Sequence, residues 1–240
     1  MKSQLCNMIA NQDMFKCDFH IHSTYSFDSI LPIQKIIKIS KIKNLDCIAI
    51  TDHNSIRGAI EAKKNAGNNL RVICGSEIRT EYGDVMGLFL TEKISSTRFF
   101  EVIDEIKDQG GLIVAPHPFK SLIKNHLDLV DVIEISNGRV SANINKDAFD
   151  YALKNNIPGI GGSDAHMGYE IGTIQTWYPN VIDSDEDLKK EIMRNNPHIA
   201  GNGSPRWVHY ISAPIGAMKT GTMGNLIQSS FKKISSKLFR

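Results

Sequence analysis

The sequence predicts a single α/β domain closed into a barrel, and three observations lead there. Short apolar runs alternate with helical segments six or seven times along the 240 residues. The strand-like runs are apolar on both faces, which means a mostly parallel sheet covered on both sides by helices. Nearly every His-rich or acid-rich cluster directly follows one of those runs, and in α/β barrels the C-terminal strand ends form the face where chemistry is built. A doubly wound open sheet is the alternative that periodicity leaves standing.

The order of elements follows from period and punctuation. Residues 15–22 read as a strand, and residues 32–43 as a helix with Ile33, Ile36, Ile37 and Ile39 at helical spacing and Pro32 in its first turn. A strand at 47–51 leads into a helix at 55–66. A strand at 71–76 leads into a Gly-containing, hairpin-like segment ending near Leu90. A helix at 97–108 follows, then short apolar strands at 112–115, 130–135 and 159–162, with helical stretches at 122–126 and 145–155 between them. A last strand at 171–178 precedes a helix at 185–194. Without an internal repeat or a low-complexity linker, the expected division is an N-terminal lead over 1–14, one barrel over 15–213 and a basic tail over 214–240.

Composition bounds the partners. A hydrophobic fraction of 41%, a charged fraction of 22% and a formal net charge of +2 give no global field to recruit nucleic acid. The tail departs from this balance. It holds Lys219, Lys232, Lys233, Lys237 and Arg240 without Asp or Glu, and removing it takes the net charge from +2 to −3. Within it, Leu226, Ile227, Phe231, Ile234 and Leu238 can form a basic amphipathic helix. Packing on the barrel or self-association is the preferred role for that helix over contact with an anionic membrane. Cys6, Cys17, Cys47 and Cys74 show no CxxC spacing, and Asn7, Asn11 and Asp13 interrupt any leader-like apolar run. A cytoplasmic protein without a membrane span is expected.

Five clusters carry the chemistry. In Asp18-Phe19-His20-Ile21-His22, a period of two puts both imidazoles on one side of the strand and Phe19 and Ile21 on the other. Asp28 stands six residues on, in a polar loop able to fold back over the same mouth. Thr51-Asp52-His53 ends the second strand, and Gly75-Ser76-Glu77 ends the third. In Ala115-Pro116-His117-Pro118 two prolines fix the backbone around one His. In Ser163-Asp164-Ala165-His166 an acid and an imidazole again stand two apart. Imidazole and carboxylate donors suit Zn, Mn or Fe, and the lack of Cys donors points to a catalytic centre. The competing explanation places five imidazoles independently as polar caps. Each ring left unpaired among apolar neighbours would cost about 1–3 kcal/mol.

Other polar residues carry less. His126, His198 and His209 end no clear strand and read as surface or supporting residues. Asp84 is a possible additional ligand, with an exposed turn acid as the equal alternative. Glu134 reads as support behind the ligands. Arg139 and Asn137 are the substrate-binding candidates, Arg139 as a bidentate clasp for an oxyanion.

Taken together, His20-x-His22, Thr51-Asp52-His53, Glu77, Pro116-His117-Pro118 and Ser163-Asp164-Ala165-His166 resemble the polymerase and histidinol phosphatase (PHP) family, over residues 18–166. The resemblance implies a distorted (β/α)7 TIM-like barrel, two or three divalent ions and phosphoester hydrolysis. It assigns His20, His22, Glu77 and Asp164 to one ion, with Glu77 bridging to a second ion held by His117, and Asp28, His53 and His166 to a third. Two positions depart from the three-metal pattern, where a His often replaces Asp28 and another follows Glu77; Asp84 is the nearest candidate for the latter. The chain is too short to contain a polymerase and resembles the stand-alone members.

The expected activity is hydrolysis of a phosphate monoester of a small metabolite, by a water that the cations activate. A nuclease acting on nucleic-acid ends would need a basic groove with stacking aromatics, for which Arg206, Trp207 and the tail are the hints. A catalytically silent metal-binding or regulatory module is the alternative from outside the enzymes.

Overall fold

The computed structural model describes residues 14–179, 182–195, 197–205 and 218–219. The N-terminal lead except Met14, together with Arg206, Trp207, His209 and the tail except Met218 and Lys219, lies outside the described residues.

Among the described residues nine strands form one nearly closed sheet: β1 (Phe15–Ile21), β2 (Cys47–Ile50), β3 (Arg71–Thr80), β4 (Gly83–Leu88), β5 (Leu112–Ala115), β6 (Val132–Asn137), β7 (Gly159–Gly162), β8 (Ile174–Tyr178) and β9 (His198–Gly201). Their order is β7-β6-β5-β4-β3-β2-β1-β8-β9. The described helices are α1 (Ile33–Ile42), α2 (Arg57–Asn65), α3 (Phe99–Asp108), α4 (Ala142–Asn155) and α5 (Asp185–Met193). Ser141 and Ser184 cap α4 and α5, their side-chain oxygens accepting from the N–H of Ile144 and Asp187.

The sheet is mixed, which corrects the mostly parallel expectation. β1/β2, β2/β3, β5/β6 and β6/β7 pair parallel, while β4 is antiparallel to both neighbours and β8 is antiparallel to β1 and β9. Two residues separate β3 from β4, too few for the crossover a parallel neighbour needs. The helix expected at 122–126 is instead a run of three 3-10 turns, Pro118–Lys120, Leu122–Asn125 and Leu127–Leu129. Beyond Pro118 the turns bury Ile123 and Leu127, an apolar face one turn long, and Leu122 is exposed.

The seam of the barrel falls between β7 and β8 and is closed by side chains. Thr176 Oγ1 accepts from Gly161 N at 2.7 Å and donates to Gly161 O at 3.0 Å. Beyond the end of β7, Ala165 bridges to β1: His22 N donates to Ala165 O at 2.8 Å and Ala165 N to His20 O at 3.2 Å. Glycine in β7 permits this approach, since a Cβ at Gly162 would lie 2.4 Å from His20 Cβ.

Two bulges set which side chains face the mouth. β1 carries an irregularity between Asp18 and Ile21. Phe19 packs with Cys17 and Cys47, whereas Ile21 packs with Ile48 and Ile50 under α1 and α2. The expectation that Phe19 and Ile21 share a face is thereby corrected, because the bulge interrupts the period of two. β6 shifts register in the same way between Glu134 and Ser136.

Candidate metal centre

The five clusters converge at the C-terminal strand ends. His20 comes from β1, His22 directly follows it and Asp28 stands in the loop after it. His53 follows β2, Glu77 lies within β3, His117 follows β5, and Asp164 and His166 follow β7. His20 and His22 are fully buried, and Glu77, His117, Asp164 and His166 nearly so.

Glu77 is the hub. Its Oε2 lies 3.3 Å from His20 Nε2, 3.2 Å from His22 Nε2 and 3.7 Å from His53 Nε2, and its Oε1 lies 3.2 Å from His117 Nε2. Asp164 Oδ1 is 3.7 Å from His20 Nε2 and 3.5 Å from His22 Nε2. On the other flank, Asp28 Oδ2 is 3.0 Å from His166 Nε2 and 3.3 Å from His53 Nε2. An ion bonded at about 2.0–2.2 Å in a tetrahedron holds its donor atoms about 3.3–3.6 Å apart, so these separations match the edges of coordination polyhedra.

Among the described residues four overlapping donor groups can be read from the geometry: His20, His22 and Asp164; His22, His53 and Glu77; His22, Asp28 and His166; and Glu77, Asp84 and His117. Asp84 is thus within reach. Its carboxylate also pairs with Arg79 across β3 and β4, with Nε–Oδ1 at 2.9 Å.

The imidazoles are preset as donors to a cation. His20 Nδ1 lies 2.9 Å from Glu134 Oε1 and His166 Nδ1 lies 2.8 Å from Asp164 O. An Nδ1 proton given to either acceptor leaves Nε2 with its lone pair aimed at the centre. At His20 that lone pair faces a carboxylate oxygen and a second imidazole nitrogen, His22 Nε2 at 3.0 Å. Glu77 Oε1 is buried without a hydrogen-bond donor. Lone pairs converging in a dry pocket repel unless a cation stands among them, and the donor set fits divalent ions on that ground.

The field agrees. Burial opposes charge on His20 and His22, yet Glu134, Asp164 and Glu77 hold His20 well above its ordinary value, and Asp164 and Glu77 raise His22 to about 10. Burial likewise resists ionisation of Glu77 and Asp164, but the surrounding imidazoles hold both well below the usual carboxylate range. A pocket that draws protons onto its histidines attracts metal cations by the same potential.

Two of the proposed ligands are strained. His117 and Asp164 are left-handed, with φ of 33° and 54°, a conformation costing about 1–3 kcal/mol in a non-glycine residue. His117 is held in it by its own N–H, which donates to Glu134 Oε2 at 2.9 Å.

Residues behind the ligands were less visible in the sequence. Asn137 is buried and spent: its Nδ2 donates to Glu134 Oε2 at 2.9 Å and Asp164 Oδ2 at 3.3 Å, and its Oδ1 accepts from Arg139 N at 2.8 Å. That places it behind the ligands, where expectation had it facing substrate. Arg139 lines the mouth, but Nε and Nη2 grip Glu170 at 2.8 and 3.1 Å. Glu170 in turn accepts from His166 N at 3.0 Å.

Asp18 and Asp52 were read only as neighbours of histidines, and both are structural anchors. Asp18 accepts from Ser163 N at 2.9 Å, Ser163 Oγ at 2.6 Å, Gly172 N at 2.7 Å and His20 N at 3.3 Å, tying β1 to the loops that close the barrel. Asp52 accepts from Ser23 N at 2.6 Å and Ser23 Oγ at 2.7 Å. Their signal was the carboxylate two residues before His20 and one before His53. Of the histidines set aside, His126 packs among Tyr82, Phe99 and Phe100, and His198 against Trp177.

The mouth is a cavity of about 140 Å³ in which Arg79, Lys120 and Arg139 join the ligand side chains. A larger groove of about 600 Å³ lies elsewhere, beside α4 and β9, without His or carboxylate residues in its lining. The smaller cavity is the one that the imidazoles and carboxylates line.

A model of the PHP domain matches residues 18–192 of this chain. Two uncharacterised proteins of Methanocaldococcus jannaschii are similar in sequence. MJ0417 is 34% identical over 195 residues, covering 75% of this chain and 78% of its own. MJ1587 is 42% identical over 121 residues, covering 45% of this chain and 71% of its own. Among solved structures, a two-domain protein from Bacteroides vulgatus containing a predicted PHP-like metal-dependent phosphoesterase superposes with a TM-score of 0.67 at 20% identity. The match covers 80% of this chain and 66% of that one, so this chain spans just under two thirds of its length. A lesion-specific endonuclease from Pyrococcus furiosus superposes with a TM-score of 0.59 at 20% identity, covering 80% of this chain and 60% of that one. At such identities the structures share the fold.

Proposed function

The chain belongs to the PHP domain family, and from that premise we propose that it hydrolyses phosphate monoesters of small metabolites with two or three divalent ions, Zn, Mn or Fe. The observation that carries the reading is the gathering of His20, His22, Asp28, His53, Glu77, His117, Asp164 and His166 into one cluster, six of which line a cavity together with three cationic side chains while His20 and His22 are buried behind them. His20, His22, Glu77 and Asp164 would hold one ion, Glu77 and His117 with Asp84 a second, and Asp28, His53 and His166 a third. When bound, the ions would make a coordinated water far more acidic and would neutralise phosphoryl charge.

The chain's own residues do the rest. Arg79, Lys120 and Arg139 supply positive charge to a phosphoryl group in the cavity. Glu170 fixes the plane of Arg139, and Glu134 fixes the tautomer of His20. The cavity, about 140 Å³, suits a phosphoryl group with the remainder of the substrate outside the mouth, so selectivity for the leaving group falls to the rim. The barrel over 15–213 carries this activity, in a cytoplasmic protein; no described helix is long and apolar enough to cross a membrane.

A second reading, cleavage at nucleic-acid ends, draws on Phe27. This ring is 44% exposed and stacks on His53 at 4.8 Å between centroids, a surface suited to a base. The deciding assay measures phosphate release from p-nitrophenyl phosphate, histidinol phosphate and short 5′-phosphorylated oligonucleotides, with Mn and after chelation. Turnover of the small esters supports the first reading and turnover of the oligonucleotides alone supports the second. Metal-independent silence towards all three, in protein that takes up no metal, defeats both.

A further inference from the structure

The basic tail contributes one described side chain to the site, and its place is unusual. Lys219 Nζ donates to Thr24 O at 2.9 Å, Ser26 O at 2.6 Å and Ser29 O at 2.8 Å. A lysine ammonium has three N–H donors, so one loop takes all of them. Three carbonyl oxygens converging on one point repel each other, and a cation there turns the repulsion into attraction.

This loop presents Asp28. From the inner side it is held by serines: Ser26 Oγ donates to Asp28 Oδ1 at 2.7 Å, and Ser29 Oγ bonds to His22 O at 2.9 Å and His166 O at 3.1 Å. Backbone bonds are sparse, Thr24 N to Leu31 O at 3.0 Å and Ser26 N to Ser23 O at 2.9 Å. Asp28 is also the least buried of the eight proposed ligands, its side chain 19% exposed, so its position depends on the loop more than on surrounding core.

We propose that Lys219 is a positioning residue that clamps the loop after β1 and so holds Asp28 against His53 and His166. Binding of the cation assigned to those three side chains is thereby coupled to the C-terminal segment. This rests on the reading that these side chains bind an ion. The clamp also gives the first basic residue of the tail a purpose that neither membrane contact nor self-association requires.

Two measurements on the full chain test it, with Lys219→Met and Lys219→Arg. The first is amide hydrogen exchange of residues 23–31 in metal-free protein. Lys219→Met should exchange about tenfold faster or more there and unchanged elsewhere in the barrel, while Lys219→Arg, whose guanidinium also donates to carbonyls, stays near wild type. The second is metal content and Mn affinity. Lys219→Met should bind one ion about 10–100-fold more weakly, with the other ions at wild-type affinity. Unchanged exchange in the loop overturns the clamp; faster exchange with every ion retained at full affinity overturns the coupling to Asp28. If wild-type protein takes up no metal, the reading of the site fails, and the exchange measurement still decides the clamp.

Discussion

Replacing Glu134 by Gln removes one charge and no volume, and its effect follows from three contacts. The carboxylate accepts from three sides: His20 Nδ1 at 2.9 Å, His117 N at 2.9 Å and Asn137 Nδ2 at 2.9 Å, the last two on the same oxygen. A Gln amide keeps one oxygen, which is best turned to the two donors that share Oε2. Its NH2 then faces His20 Nδ1, and the ring answers by moving its proton to Nε2. That proton points at Glu77 Oε2, 3.3 Å away, and at His22 Nε2, 3.0 Å away, where a cation's ligand must offer a lone pair. Losing an outer partner of a ligating imidazole typically weakens metal binding 10–100-fold, equivalent to about 1.4–2.7 kcal/mol. Mn or Zn affinity measured by competition with a chromophoric chelator should show this loss for one ion, with the metal-free circular dichroism unchanged. An unaltered affinity would refute the reasoning, since His20 would then not depend on Glu134 for its tautomer.

Three further outcomes are expected. Gly162→Ala places a Cβ 2.4 Å from His20 Cβ and 2.8 Å from His20 N, so it should impair metal binding at the His20–His22 ion; full metal content in this variant would show that β1 can retreat freely. Asp18→Asn turns an NH2 towards donors that the carboxylate now satisfies, and at about 3 kcal/mol for the unpaired groups the melting temperature should fall by about 6–12 °C; a shift near zero removes Asp18 from its anchoring role. Burial alone would lower His22, but hydrogen bonds with Asp164 and Glu77 raise it to about 10. The resulting stabilisation of the metal-free fold is complete below the ordinary value near 6.5 and fades as pH rises towards 10, while metal, which must displace that proton, binds more tightly over the same window. Calorimetric Mn titrations in buffers of different protonation enthalpy should reveal proton release, and a buffer-independent heat would exclude it.

The gathered side chains were legible in the sequence because all of them but Asp28, which stands in the loop after β1, directly end or follow a strand-like apolar run. An imidazole beside a buried strand has few neutral explanations, and five in register with strand ends have fewer. Arg139 and Asn137 were harder, because the sequence gives residue types without their partners. Glu170 captures part of the guanidinium, and Glu134 with Asp164 captures the amide. Strand β9 was not anticipated, since its half-buried residues carry little alternation.

The sequence by itself determined the α/β alternation, favoured a barrel over the open sheet that periodicity left standing, and singled out the imidazoles and carboxylates that gather at the strand ends, since local periodicity and strand-end position are properties of neighbouring residues. Direction and aim belonged to the tertiary structure. In a regular strand Glu134 and Asn137, three apart, face opposite sides. The bulge in β6 brings their side chains within 2.9 Å behind the same ligands. The left-handed His117 and the union of Asp28 with His166 likewise exist only once the barrel closes, because the contacts that stabilise them join residues far apart along the chain.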